Sequence, residues 1–485
     1  MKTILLFLTF FSSKLLLAQS FTRLLNTPFE GVQNSSIAFS DIDGDGDNDV
    51  LITGEDSLDI RVSKLYINDG LGRFTLVNNN SFEGVGYSSI SFSDIDGDND
   101  NDVIITGWDN SGIRLAKLYI NNGAGIFNEA LDTPFEGVAA GSIAFADIDG
   151  DNDSDVLITG RNTQLNTIAK LYTNNGDGEF SEVKNTPFEG VAASSIAFAD
   201  IDGDDDSDLL ITGFNNSLIP ISKLYTNNGD GEFSEVKNTP FEGVGFSSIA
   251  FSDIDGDNDV DILIAGSKIE NNETLAITEL FTNNGNGVYT KNSNNTFDGL
   301  YSASVAFSDV DNDGDQDLIT TGGTNYGYRI SNLYLNDGNG IFTSLTPTPF
   351  EDLYIGSIAF ADVDGDTDQD VLITGEGNYT FSPIAKLYIN GNLVSSILDS
   401  FNSIDFLIYP NPVETQFIKL NIESKINSSI SVEIFDLNGK LIYRKLKNVN
   451  EDKSLILDVS SLPKNNYILI LNDGNKRGVR KLIIL

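Results

Sequence analysis

Histidine and cysteine are both absent from this 485-residue chain, and tryptophan and methionine occur once each. Without them no Ser-His-Asp or Cys-His nucleophile system, Cys/His zinc site, haem-thiolate centre or disulfide staple can be built. Cations are scarce as well: 29 Lys and Arg stand against 72 Asp and Glu, a formal charge of -43. A nucleic acid is excluded as partner, because affinity for a phosphate backbone is mostly cationic. Beyond the first 20 residues no apolar run reaches the ~18 residues of a membrane-spanning helix. What remains is length for about three domains, or one large repeat array, and a great deal of acid.

The two ends differ from the middle. Lys2 supplies a basic start and Ile4 to Phe11 an apolar stretch, so residues 1-19 are expected to be a signal peptide, cut after Ala18 or Gln19. From residue 401 onward 12 Lys/Arg meet only 9 Asp/Glu, which leaves a balance of -46 on residues 1-400 and places a domain boundary near 400. The tail is expected to form strands at Ser431 to Phe435, Lys440 to Arg444, Leu455 to Val459, Tyr467 to Leu471 and Lys481 to Leu485, giving a small β-sandwich.

Self-similarity dominates the middle. An Asp-x-Asp-x-Asp-x-Asp-x-Asp nonapeptide begins at residues 41, 94, 147, 200, 253, 309 and 362, with spacings of 53 residues except for one of 56. An alternating apolar stretch precedes each copy and another follows it. A third run ends in Lys-Leu-Tyr or a variant, and an Asn-Asn-Gly-x-Gly turn leads to a fourth that starts with an aromatic. Four short strands in a repeat of about 50 residues are the pattern of a propeller blade. The opening aromatics Phe74, Phe127, Phe180, Phe233, Tyr289 and Phe342 extrapolate back to Phe21, while the last repeat ends at Gly391 without its own. The expected fold is therefore all-β: a seven-bladed β-propeller over residues 20-395, closed by its N-terminal strand, then a linker at 396-405 and the β-sandwich at 406-485.

Five carboxylates in nine residues repel one another unless a cation lies among them. Calcium is the expected ion, up to seven in all, because it takes six to eight hard oxygen ligands, as in the related EF-hand loop. Glycine or asparagine at position 4 permits the turn, and apolar residues at positions 2 and 10 anchor the loop. The expected side-chain ligands are Asp41, Asp43, Asp45 and Asp49; Asp94, Asp96, Asp98 and Asp102; Asp147, Asp149, Asp151 and Asp155; and Asp200, Asp202, Asp204 and Asp208. The series continues with Asp253, Asp255, Asp257 and Asp261; Asp309, Asp311, Asp313 and Asp317; and Asp362, Asp364, Asp366 and Asp370. Position 7 (Asp47, Asp100, Asp153, Asp206, Asp259, Asp315, Asp368) is expected to lend its backbone carbonyl, with its side chain facing water.

Ser142 to Asn152, the following Leu-Ile-Thr-Gly, and Leu171 to Phe180 resemble the FG-GAP or VCBS repeats, the calcium-binding blades also found in integrin alpha-subunit propellers. The chain departs from the integrin form at position 6, often Asn, Asp or Thr in place of Gly, and in the extra Asp at position 7. In the tail, Tyr409-Pro-Asn-Pro-Val413, Val432 to Lys440, Leu457 to Pro463, Tyr467 and Lys481 to Ile484 resemble the C-terminal sorting domain of the type IX secretion system of Bacteroidetes. That resemblance implies export through the periplasm to the outer surface or the medium, with the secretion machinery as partner.

Of the connections that reach the rim opposite the acidic loops, those from strand four to strand one are nearly uniform, whereas those from strand two to strand three vary. Trp108, Tyr326, Tyr328 and Tyr379, expected to be exposed, with Arg61, Arg114 and Arg329, form the candidate contact set for a glycan or protein. The expected function is a monomeric, secreted or cell-surface, calcium-stabilised adhesion or recognition protein and not an enzyme. A structural coat protein and a polysaccharide-cleaving enzyme are the alternatives. No acid pair stands outside the repeated loops to serve glycoside hydrolysis.

Overall fold

The structure is a computed structural model that describes residues 21–78, 80–378 and 382–391 and, in the tail, 406–409, 413, 416–422, 429–436, 441–448, 454–460, 462–472 and 477–484. The leader at 1-19, the linker at 396-405 and Tyr379 lie outside the described residues. The chain is all-β and separates into two compact units, divided between residues 392 and 393.

In the larger unit each acidic loop occupies the same place in an antiparallel four-strand pattern. The first repeat has strands Gln33–Ser40, Asp49–Glu55, Arg61–Ile67 and Thr75–Leu76, paired in that order. All seven residues of its second strand are buried. A strand with one wet face would alternate; here neighbouring sheets cover both faces. Val103 and Ile105 pack with Ile42, Leu51 and Leu65 of the repeat before, while Ile104 packs with Val156 and Ile158 of the repeat after. Period-2 side chains thus feed two cores in turn, at about 1.5–3 kcal/mol for each fully buried aliphatic.

Strand one carries a bulge at the same point in every copy. Asn34, Tyr87, Ala140, Ala193, Phe246, Ser302 and Ile355 sit there with φ between 45° and 51°, and the pairing register shifts beside them. Hydroxyls then join one inner strand to the next sheet, Thr53 to Ser88 at 2.7 Å, Thr159 to Ser194 at 2.9 Å and Thr212 to Ser247 at 2.7 Å.

First and last repeats meet through the same contacts that join successive ones. Ser35 Oγ lies 2.8 Å from Thr374 Oγ1, and Val32 bridges Ile384 as Val85 bridges Val62. Thr22 and Arg23 pair with Ile389 and Tyr388. The phenylalanine of each strand-four to strand-one connection packs between two further rings, for example Phe82 against Tyr119 (4.9 Å) and Phe127 (5.0 Å). At the closure Phe350 is the middle ring, 5.1 Å from Tyr388 and 5.1 Å from Phe21. The result is a closed, propeller-like ring, whose strand ends are paired around the junction instead of being left as an open edge.

Two expectations on elements need correction. Strand four usually begins after the aromatic, because the ring turns inward to join the trio, and only two residues then pair. The connections from strand two to strand three, expected as variable loops, include Lys268 to Thr274, but there strands Asp261–Glu270 and Glu273–Thr282 extend as one hairpin around Asn271 and Asn272, both at positive φ, as a two-residue turn requires.

The smaller unit is β-sandwich-like. One sheet orders Phe406–Tyr409, Phe417–Ile422 and Ser454–Asp458; the other orders Leu441–Asn448, Ser429–Asp436, Asn465–Asn472 and Arg477–Ile484. Phe406, Ile418 and Leu420 meet Val432, Ile434 and Leu469 in a common core. The first two strands were missing from the sequence reading, although Phe417–Ile422 alternates exposed and buried residues throughout.

Phe21→Ala removes the third ring at the closure and should cost about 3 kcal/mol in urea unfolding of the ring; a loss below about 0.5 kcal/mol, the usual range of a surface change, would deny Phe21 that part.

Candidate functional site

Each acidic loop joins strand one to strand two, and its first aspartate organises the turn. Asp41 accepts hydrogen bonds from the N–H groups of Gly44 (2.9 Å) and Gly46 (3.0 Å), and Asp147 from those of Gly150 (2.8 Å) and Asn152 (2.9 Å). Position 5 accepts from the N–H of position 7, as Asp45 does from Asp47 at 3.0 Å. Positions 4 and 6 both adopt left-handed backbone, and position 6 keeps it where it is not glycine: Asn99 at 69°, Asp205 at 69° and Thr367 at 76°. Asparagine and aspartate tolerate that region, whereas a β-branched residue is strained in it.

Position 9 is buried beneath the loop. Asp49 accepts from the N–H of Ile42 at 3.2 Å and of Asn68 at 2.7 Å. Burial pushes this carboxyl up to about 7 in Asp49, Asp102, Asp155, Asp208, Asp261 and Asp317, and to about 8 in Asp370, against the pull of the two backbone donors.

Position 3 differs in keeping one carboxylate oxygen without a partner. Oδ1 of Asp43, Asp96, Asp149, Asp202, Asp255, Asp311 and Asp364 is buried and makes no hydrogen bond. Burial, then the position-5 carboxylate, raises the pKa of each. An unpartnered buried carboxylate oxygen is costly, and this one recurs in every loop. Ligand oxygens of Asp41, Asp43 and Asp45 lie within 4.8 Å of one another, as do those of Asp94, Asp96 and Asp102; Asp147, Asp149 and Asp155; Asp200, Asp202 and Asp208; and Asp253, Asp255 and Asp261. Such clusters fit a divalent cation, which would satisfy the orphan oxygen and cancel the repulsion.

The position-7 side chains do not stand free in water. Asp47, Asp100, Asp153, Asp206, Asp259, Asp315 and Asp368 are half-buried and lie against Gly70, Gly123, Gly176, Gly229, Gly285, Gly338 and Gly391 of the following turns. Gly70 has φ of 69°, and a Cβ there would collide with the Asp47 carboxylate, so the turn needs glycine twice over.

Sequence reasoning missed a further set of residues. The Nδ2 groups of Asn121, Asn174, Asn227, Asn283, Asn336 and Asn390 donate at 2.7–2.8 Å to the position-2 carbonyl of the preceding loop. Asn68 completes the circle by donating to Val363 at 2.9 Å. The signal was there, as the first residue of each Asn-Asn-Gly turn or its variant, but it was read only as a turn former.

On the opposite rim, Tyr326 and Tyr328 are 86% and 69% exposed. Trp108 is not freely exposed as expected. Two guanidinium groups lie over its ring, Arg61 at 5.2 Å and Arg114 at 4.7 Å from the centroid, a cation–π arrangement that covers part of it. Arg61 is held by Glu55 at 3.1 Å and Arg329 by Glu376 at 2.9 Å.

Among solved structures the chain is similar to AofleA from Arthrobotrys oligospora, at 9% identity over 68% of this chain and 90% of that one, with a TM-score of 0.39. It is also similar to the fucose-specific lectin from Aleuria aurantia, at 9% identity over 66% of this chain and 99% of that one, with a TM-score of 0.36. No curated protein matches. Residues 407–485 match the secretion system C-terminal sorting domain, which marks the chain for export by the type IX route to the cell surface or beyond. Among the described residues no helix is long and apolar enough to cross a membrane. FG-GAP-like repeats match residues 41–105, 94–158, 147–211, 206–264 and 309–373; these segments span more than half of the sequence and each contains an acidic loop, and the chain belongs to the FG-GAP-like repeat family.

Proposed function

We propose that residues 20-395 form a seven-bladed propeller, stabilised by calcium in its acidic loops, which binds a protein or glycan at the cell surface through the rim opposite the metal. Residues 1-19 act as the signal peptide, 396-405 as a linker and 406-485 as the sorting domain, and the mature ring works as a monomer. The observation that carries the metal reading is the orphan carboxylate oxygen at position 3 of all seven loops. The side chains at positions 1, 3, 5 and 9 and the carbonyl at position 7 supply an all-oxygen shell. That donor chemistry suits calcium better than magnesium, which demands stricter octahedral geometry and retains more water.

Antiparallel order puts the loops between strands one and two, and between strands three and four, on the metal rim. The connections between strands two and three, and from strand four to strand one, reach the other rim. Metal and scaffold repeat faithfully, while residue variation gathers away from the metal. This division supports recognition over catalysis, since the acidic clusters described above all lie in the repeated loop.

Calcium removal should lower the melting temperature of the ring markedly in a calorimetric scan; superimposable scans with calcium and with EDTA would remove the structural role of the ion. The pH response should change sign with the metal. With folded-state pKa values raised to about 7 from 3.8 at position 9, the metal-free ring binds more protons than its unfolded chain between about pH 4 and 7. Its stability should therefore fall as pH rises through that window, whereas in the loaded ring acidification displaces calcium and lowers stability. Asp149→Asn should remove one ion from the calorimetric stoichiometry, destabilise the loaded ring and stabilise the chelated one. Tyr326→Ala combined with Tyr328→Ala should weaken binding about tenfold to whichever glycan or protein a screen of the ring retains, a cost of about 1.4 kcal/mol; unchanged binding would take these residues out of the contact set.

A further inference from the structure

The near-uniform connections lead into a position that varies, the bulge of strand one. Tyr87 and Phe246 occupy the bulge in two repeats, but the two repeats between them place Ala140 and Ala193 there, at φ values of 51° and 46° beside 49° and 47° for the aromatics. Backbone and register are shared; only the side chain is cut away. The missing rings open a cavity of about 620 Å³ on the rim opposite the acidic loops. One wall is the Tyr87–Trp108 pair, with ring centroids 6.4 Å apart, and the other the Phe214–Phe246 pair at 5.5 Å. Leu165 and Leu218, both about 60% exposed, stand at its mouth.

Two arginines, Arg114 and Arg161, complete the lining. In a chain with 72 acidic residues, an arginine without a carboxylate partner is a departure, and Arg61 and Arg329 on the same rim are paired. Among the described residues neither Arg114 nor Arg161 forms an ion pair; Arg114 has only the face of Trp108. Burial and the like charge of Arg161 both push the Arg114 guanidinium down from its ordinary pKa. Two guanidinium groups that line one groove without an ion pair call for an anion.

We propose that this groove binds a small amphipathic monoanion, a carboxylate with a single apolar chain or ring, its body between the two aromatic pairs and its head group on Arg114 and Arg161. A neutral sugar fits less well: apart from the arginines and the edge groups of Tyr87 and Trp108, the walls are hydrocarbon, and buried hydroxyls would go unpaired. The volume lies within the usual range of small-ligand sites, about 300–1,000 Å³. The inference rests on the reading of this rim as the recognition face and adds the ligand class.

Trp108 is the only tryptophan in the chain, so its fluorescence reports on the groove directly. Octanoate titrated into the calcium-loaded protein should change that emission saturably, and octylammonium should not. Arg161→Met should weaken octanoate at least tenfold, and Ala193→Phe, which copies the side chain already borne at Phe246, should abolish the response, both without change in melting temperature. Equal responses to octanoate and octylammonium, or an octanoate curve unmoved by both substitutions, would overturn the proposal. Octanoate binding without retention of any protein or glycan in the screen would keep the groove and sink the wider recognition reading. Partner retention by a ring that ignores octanoate would do the reverse.

Discussion

The residue that follows the first aspartate of each loop is held through both its backbone groups. Its N–H is bound by the buried position-9 carboxylate of the same loop, and its carbonyl by an asparagine side chain from the next repeat. That asparagine also gives its own N–H to the carboxylate of the loop in its own repeat. Carboxylate, amide and peptide thus form one chain of hydrogen bonds that runs around the ring and returns through Asn68 and Val363. A cation that fixes the carboxylates acts on the junctions between sheets as well as on its own loop. The position-9 carboxyl has little access to water, and without a metal it pays the desolvation of its charge with two backbone donors alone.

This linkage explains why the two rims diverged. On the rim of the acidic loops a change in one loop disturbs a hydrogen bond in the next repeat, so residue types there hold to a fixed pattern. At the other rim, turns such as that of Asp56 cap themselves, the side chain accepting from the N–H groups of Leu58 and Ile60, and one residue such as Asn110 reaches the neighbouring repeat at Arg61, so the rest of the tip is free to vary. The bulge of strand one has the same freedom, since any side chain accepted at that φ leaves the pairing unchanged: it carries tyrosine, alanine, phenylalanine, serine, isoleucine and asparagine in this one chain.

Much of the ring was legible because its signals are periodic. Acidic loops, strand order and the out-of-place Phe21 could be found by counting, since a repeat writes each requirement seven times. What escaped were roles in which a residue type with a familiar local purpose serves a distant one. Asn121 and its equivalents look like turn residues and are staples between repeats. Phe82 and its equivalents look like loop residues and are the middle rings of aromatic trios. The exposure of Trp108 was misjudged because cation–π cover comes from Arg61 and Arg114, the first more than forty positions away in sequence. The groove was missed for the opposite reason: alanine carries no signal by itself, and only the bulge geometry shows what its small size leaves open.

The pairing of Thr22 with Ile389 imposes an order of events. Its two partners lie at opposite ends of the ring-forming sequence, so closure is the most non-local contact the fold makes and among the slowest to form. The strand Thr22–Arg23 has no sheet to join until the last repeat exists. A chain that emerges in sequence therefore keeps one sheet short of a strand until Ile389 has appeared. The ring is in this sense a check on completeness: a product truncated before residue 389 keeps an unsatisfied edge at each end.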